Sequence, residues 1–218
     1  SIRMQLSVAK YQAIALHRGA NLDAVDHPLN DRPWLKRRFA AIRALPTEAE
    51  RLVALREIVH WDDPGPGGYY DDLGDPARRP HLVAGPGFPA DPEFKASALT
   101  GFASVPDARL GWQRHAEALY DQPLRLRYPG LDPTARYRVR VIYGSERTRG
   151  RIRLETGNGH VIHDYRDKPE PGEPLTFPVP PAGIVDGTLE LVCRREPGLG
   201  GNGRGAQICE IWLLREGS

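Results

Sequence analysis

The chain is poor in sulfur: two cysteines and one methionine stand among 218 residues. So few cysteines exclude a disulfide-stapled miniprotein and a Cys-rich zinc module. Long apolar runs are missing too. None approaches the roughly 20 residues that a membrane helix needs, and the start has no signal-peptide pattern, so the sequence reads as soluble, with no membrane partner. There is also no surplus of charge, because 30 basic against 28 acidic side chains leave a formal net charge of +2. That balance gives no field to recruit nucleic acid, and the run Lys36, Arg37, Arg38 reads as a solvated helix face. Short catalytic signatures are lacking as well. No Ser-centred nucleophile elbow occurs, no Lys-Ser or Lys-Thr follows the glycines of GLGGNGRG, and His160 and His163 have no third ligand at zinc spacing.

What is present can hold one large domain, or a compact domain with an appendage. The first sixty residues read as helices. SIRMQLSVAKYQAIALHRG places Met4, Val8, Tyr11 and Ala15 at helical spacing and ends at Gly19. Helical from its first residues and without an initiator Met, the chain reads as a mature form or a fragment, with the remainder of a larger parent as a partner. A second helix, capped near Asn30 or Asp31 with Pro33 in its first turn, carries Leu35, Phe39 and Ile42 and stops at Pro46. A third opens on Thr47 and Glu50, spaced as a capping box, and carries Leu52, Leu55 and Val59. Three short helices bury too little surface alone, so residues 1–60 are expected to pack on a sandwich formed by residues 61–218.

From residue 61 to 106 the texture turns to Pro, Gly and Asp, interrupted by Tyr69, Tyr70, Leu82, Val83, Phe88, Phe94 and Phe102. An ordered, irregular coat anchored by its aromatics is expected there. Beyond Gly111 the pattern is strands and turns. Leu124, Leu126 and Tyr128 alternate with arginines, as do Tyr137, Val139 and Val141, and RIRLETGNGHVIHDY reads as a hairpin turning at residues 157–159. EPLTFPVP, GTLELVCRRE and AQICEIWLLR complete a set that favours a β-sandwich. If the last two pair symmetrically about Gly201, Cys193 faces Cys209, Leu191 faces Ile211 and Leu189 faces Leu213 on one buried side, leaving Glu190 and Glu210 tolerant of replacement. Either a cross-strand disulfide or two buried thiols fits that register.

The segment ALYDQPLRLRYPGLDPTARYRVRVIYG resembles the core of malectin-like and other galactose-binding-like β-sandwiches. GGYYDDLG is similar to the opening of malectin-like domains, and AQICEIWLLR to the closing strand of such modules. The resemblance covers residues 59–215. It implies a mainly β, jelly-roll sandwich, here with an N-terminal helical segment and a long Pro/Gly-rich loop. It also implies carbohydrate as partner, a place in the C-terminal region of a large bacterial carbohydrate-active protein, and a secreted or periplasmic setting.

Two clusters are the candidate ligand-binding residues. In WDDPGPGGYYDDLGDP, Trp61, Tyr69 and Tyr70 offer flat faces to a sugar ring and Asp62, Asp63, Asp71 and Asp72 offer oxygens to its hydroxyls. The same aspartates suit calcium, although their spacing is not that of an EF-hand, or turn formation, or one side of a glycosidase acid pair. In GWQRHAEALYD, Trp112, Arg114 and His115 stand together near Glu117, with His115 able to act as an acid or base or as a hydrogen-bonded structural group. No catalytic residue and no obligatory cofactor is assigned. The expected function is a non-catalytic carbohydrate-binding or accessory module. The alternatives are a hydrolase or lyase fragment lending acids to an active site, and a bracing domain without ligand.

Overall fold

The computed structural model describes residues 32–102, 114–144, 150–169, 172–198 and 204–217. They divide into two compact units, residues 32–63 and residues 64–217, so the boundary falls inside the Trp61–Pro76 stretch. The first of the three expected helices lies outside the described residues.

The smaller unit holds helices α1 (Arg32–Arg43) and α2 (Glu48–Val59). Thr47 caps α2 as its sequence requires: the Thr47 hydroxyl accepts from Glu50 N at 3.2 Å, and the Glu50 carboxylate accepts from Thr47 N at 3.0 Å. The buried faces differ from those expected. Trp34 and Ile42 are buried on α1 while Phe39 is exposed, and Ile58 is buried on α2 while Leu52 and Leu55 are exposed. Trp34 explains part of the rotation, because its ring meets that of Trp61 edge-on at 5.5 Å and 78°. No helix among the described residues is long and apolar enough to cross a membrane.

The larger unit is a sandwich of two antiparallel sheets. One contains β2 (Leu99–Phe102), β3 (Arg114–Leu119), β11 (Arg204–Arg215), β5 (Tyr137–Tyr143) and β8 (Leu175–Pro178) in that order, with β1 (Tyr69–Asp72) also paired to β11. The other runs β4 (Leu124–Tyr128), β10 (Thr188–Arg195), β6 (Ile152–Thr156) and β7 (Val161–Arg166), with β9 (Ile184–Val185) also on β10. The two-residue alternation read from the sequence is the reason. On β4, Leu124, Leu126 and Tyr128 turn into the core and Arg125 and Arg127 turn out. On β5, Tyr137, Val139, Val141 and Tyr143 do the same.

The supposed hairpin of β10 and β11 is not one. Each strand belongs to a different sheet. Leu189, Leu191, Ile211 and Leu213 are still buried together in the core, as parity demands, but they meet face to face across the sandwich and not edge to edge within a sheet. Cys193 and Cys209 are buried free thiols. Burial pushes the Cys193 thiol up to about 12. Glu210 is buried, against expectation, because the face of β11 turned away from the core is itself covered: there Glu210 accepts from the hydroxyl of Tyr70, whose ring lies beside Trp212. Nor is the stretch from 61 to 106 wholly irregular: β1 and β2 arise from it and pair into the first sheet.

Candidate ligand-binding site

The structure separates the residues that the sequence had grouped. Trp61, Asp62 and Asp63 belong to the helical unit, where Asp63 lies 3.6 Å from His60. Tyr69, Tyr70, Asp71 and Asp72 form β1 of the sandwich. Tyr69 donates its hydroxyl to Pro129 O at 2.5 Å, and Tyr70 donates to the buried Glu210 at 2.8 Å while its ring lies 5.0 Å from that of Trp212. The aspartates are held by structure. Asp71 accepts from His81 N at 3.2 Å and lies 2.9 Å from its ring nitrogen Nδ1; Asp72 accepts from Gly74 N, and Asp75 from Ala77 N. The bonds of Asp72 and Asp75 are turn chemistry, one of the readings open at the sequence level, whereas Asp71 is held by a histidine ten residues on. Among the described residues no cluster of three His, Cys, Asp or Glu is placed to hold a metal ion.

The second cluster comes together more closely. Trp112 lies outside the described residues. His115 and Glu117, two apart on β3, share one face of the sheet, with Ala116 and Ala118 in the core on the other. Glu117 accepts from Arg204 Nη1 at 3.0 Å and from Gln207 Nε2 at 3.1 Å, and His115 Nε2 stands 3.4 Å from it. Lys168 Nζ donates to the side-chain oxygen Oε1 of Gln207 at 3.0 Å. Burial alone raises the Glu117 pKa, but the His115 ring close by, the Gln207 hydrogen bond and the Arg204 charge outweigh that and leave it below the ordinary value. Two glycines keep the space: a Cβ at Gly101 would stand 2.5 Å from His115 Nε2, and one at Gly144 would stand 3.3 Å from the His115 ring. Arg114 points the other way, against Gly74. The result is a buried carboxylate network in which Arg204 and Gln207 hold Glu117, while both ring nitrogens of His115 are buried without a hydrogen-bond partner among the described residues.

A different arrangement lies on the second sheet. A cleft of about 350 Å³ is lined by Arg127, Asn158, Val185, Asp186, Thr188 and Glu190, with Gly157 and Gly183 at its wall. Strand pairing builds it, since Glu190 on β10 stands directly opposite Arg127 on β4 and both turn away from the core. The β6–β7 turn forms one side. Gly157 N donates to Glu190 O at 2.8 Å, and a Cβ at Gly157 would stand 2.8 Å from Glu190 Oε2, so only glycine leaves the carboxylate its place. Asn158 is fixed there, accepting from the Thr156 hydroxyl at 2.6 Å and donating to Ala182 O at 2.7 Å. The other side is the Asp186–Gly187 turn between β9 and β10, with φ of 49° and 67°, the two-residue geometry that Asp-Gly favours. Among the described residues, the side chains of Arg127, Asp186 and Glu190 make no ion pair or hydrogen bond with one another or with a neighbour. Three unspent charged groups therefore face one cavity.

None of these cleft residues is expected from the sequence to bind a ligand, although Glu190 reads there as outward-facing and residues 157–159 as a turn. The signals were there in part: the alternation of β4 and β10 turns Arg127 and Glu190 outward, and Asp-Gly marks the turn. What a single sequence does not supply is that β4 and β10 are neighbours.

No family model matches the chain, and no curated protein matches it. Among solved structures, the C-terminal CBM6 module of the marine laminarinase LamC from Zobellia galactanivorans is similar at 13% identity and a TM-score of 0.36, over 67% of this chain and 98% of that one. An exo-β-1,3-galactanase from Phanerochaete chrysosporium, solved with galactose, is similar at 12% identity and a TM-score of 0.32. That match covers 54% of this chain and 26% of the galactanase. Likenesses at this level do not bear on ligand or residues. The mainly β sandwich expected from the sequence is seen in the two antiparallel sheets themselves.

Proposed function

We propose that residues 64–217 form a non-catalytic carbohydrate-binding module whose ligand sits in the cleft between Arg127 and Glu190. One observation carries the reading: Arg127, Asp186 and Glu190 converge on a cavity of about 350 Å³ without neutralising one another. Carboxylates accept from paired sugar hydroxyls, a guanidinium donates to hydroxyl and ring oxygens, and the exposed Val185 gives an apolar wall for the C–H face. The volume lies at the lower end of the roughly 300 to 1,000 Å³ of small-molecule sites, which suits one sugar ring or two. A role as an accessory part of a larger, exported carbohydrate-active protein belongs to the same proposal.

A glycan array followed by titration calorimetry tests it. Glu190→Ala and Arg127→Ala should each weaken binding about tenfold or more, because a hydrogen bond to a charged group contributes about 1.5–3 kcal/mol and each 1.4 kcal/mol is a factor of ten. An array without a hit, or hits that both variants retain at full strength, would overturn the reading. Asp186 and Glu190 together also suit hydrolysis. That alternative requires reducing-end release from the bound glycan, abolished in Glu190→Gln, whereas a module leaves the glycan intact.

A further inference from the structure

The segment Gly85–Ser97, GPGFPADPEFKAS, carries two phenylalanines that the cleft does not use. Its limbs are closed on each other: Ala98 N donates to Ala84 O at 2.9 Å, Gly87 N to the Ser97 hydroxyl at 3.0 Å, and Gly85 packs on Ala96 so tightly that a Cβ would collide. Asp91 pins the interior. Its buried carboxylate accepts from Lys95 N and Ala96 N, both at 2.8 Å, while Asp91 N donates to Gly87 O at 2.8 Å. Phe94 is held in the left-handed region, with φ of 51°, which a bulky residue adopts only when its surroundings fix it.

This rigid loop presents Phe88, 64% exposed, beside Phe94, with ring centroids 6.0 Å apart and planes inclined by 35°. The ring lies outside the buried core of the sandwich, and its aromatic neighbour among the described residues is Phe94. The charges around the pair cancel, as Glu93 and Lys95 on either side of Phe94 form an ion pair and Asp91 is spent inside the loop. A surface with no net positive charge does not suit an anionic membrane. A flat ring edged by one acid and one base suits a polyhydroxylated ring, stacked by its C–H face and hydrogen-bonded at its rim.

The loop is also continuous with the cleft. His81–Val83 runs antiparallel along β4, with Arg127 N donating to His81 O at 2.9 Å and Val83 N to Arg125 O at 3.0 Å, around the Leu82–Leu126 bridge. Arg127, at one end of β4, lines the cleft, and the loop departs beside Leu124 at the other, about 10 Å away at a strand rise of 3.4 Å per residue. Arg125 and Arg127 project from the same face of that strand, with the exposed Val83 next to them.

We infer that Phe88 and Phe94 form a second saccharide subsite, and that the ligand is a glycan chain laid along β4 from the cleft to this loop. The inference rests on the carbohydrate reading of the cleft and specifies that an oligomer, not a lone sugar, is the proper ligand. The test is calorimetry of the wild-type chain and its variants with a single sugar and with its linear oligomers. Laminari-oligosaccharides and β-1,3-galacto-oligosaccharides serve as the first probes, and the series that the array selects comes next. Wild-type affinity should rise with length. Phe88→Ala should lose about tenfold for the long oligomer while keeping the single-sugar affinity and the melting temperature, and Phe88→Trp should restore the gain. Phe88→Leu, apolar but not flat, should behave as Phe88→Ala and guards against an effect of folding. Glu190→Ala should weaken every length alike. Affinity independent of length, or a long oligomer bound equally by Phe88→Ala, overturns the subsite while leaving the cleft intact. Failure of every saccharide to bind overturns both readings. Loss of vesicle binding or of self-association in Phe88→Ala, with glycan affinity unchanged, assigns the rings to a lipid surface or a second copy and overturns the subsite too.

Discussion

Single side chains in this fold are placed by what their polar atoms can reach. His163 shows it best: its ring lies between the sheets, Nδ1 lies 2.9 Å from Asp164 O, and Nε2 lies 2.6 Å from the Tyr143 hydroxyl. A carbonyl only accepts, so Nδ1 carries the proton and Nε2 accepts from Tyr143, whose own pKa burial raises well above its ordinary value. Burial lowers the His163 pKa from 6.5, so the folded chain keeps the ring neutral where the unfolded chain would protonate it. Stability should therefore be full above pH 6.5 and decline as pH falls from there toward the folded-state pKa. Urea unfolding across that window measures it, and His163→Gln should flatten the slope. The depressed carboxylates Asp91, Asp132, Glu117 and Glu196 act in the same direction at lower pH, below their ordinary values of 3.8 and 4.5. A second prediction concerns Tyr70. Its hydroxyl serves the buried Glu210, so Tyr70→Phe should cost about 1–3 kcal/mol, read from the same unfolding curves. Neither role was visible in the sequence. His163 reads there as one of two hairpin histidines, and Tyr70 as either a loop anchor or a sugar platform, because the partner of each depends on residues distant in the chain.

Elements were more legible than their partnerships. Alternation of apolar residues and arginine marks β4, β5, β10 and β11, and the capping box marks the start of α2, because both signals are local and physical. β1 and β2 escaped because Tyr-Tyr-Asp-Asp and Leu-Thr-Gly-Phe have no two-residue period; the neighbouring strands of the first sheet recruit them. The wrong hairpin of β10 and β11 has a similar cause. A glycine-rich link fits a tight turn and a crossing between sheets equally well, and only the opposite sheet decides. The buried parity survives that error, which yields a sharp expectation. Leu191→Ala should cost about 2–5 kcal/mol, and Glu190→Ala should leave stability within about 0.5 kcal/mol of wild type while weakening saccharide binding. Equal losses of stability at both positions would show that β10 presents a different face to the core.

At the scale of the whole molecule, the two thiols report on the packing of both sheets. Cys193 and Cys209 are buried and free, one on each sheet, so a thiol reagent should label neither until denaturant opens the sandwich. Reductant should leave the melting temperature unchanged, whereas a bridge would lower it on reduction. The position of β11 has a further consequence, for the order of events in time. That strand pairs with β1, β3 and β5, and its partners Tyr69–Asp72 lie nearly at the opposite end of the sandwich sequence. A ribosome must therefore deliver the ten other described strands before it delivers the one that joins five of them into a sheet. Until Leu213 emerges, Tyr70, Val139 and Ala116 wait with their backbone edges open to other chains, and such long-range closure is slow. The nascent protein passes through a stage in which half of its sandwich lacks its centre, and that stage is where chaperones or aggregation would meet it.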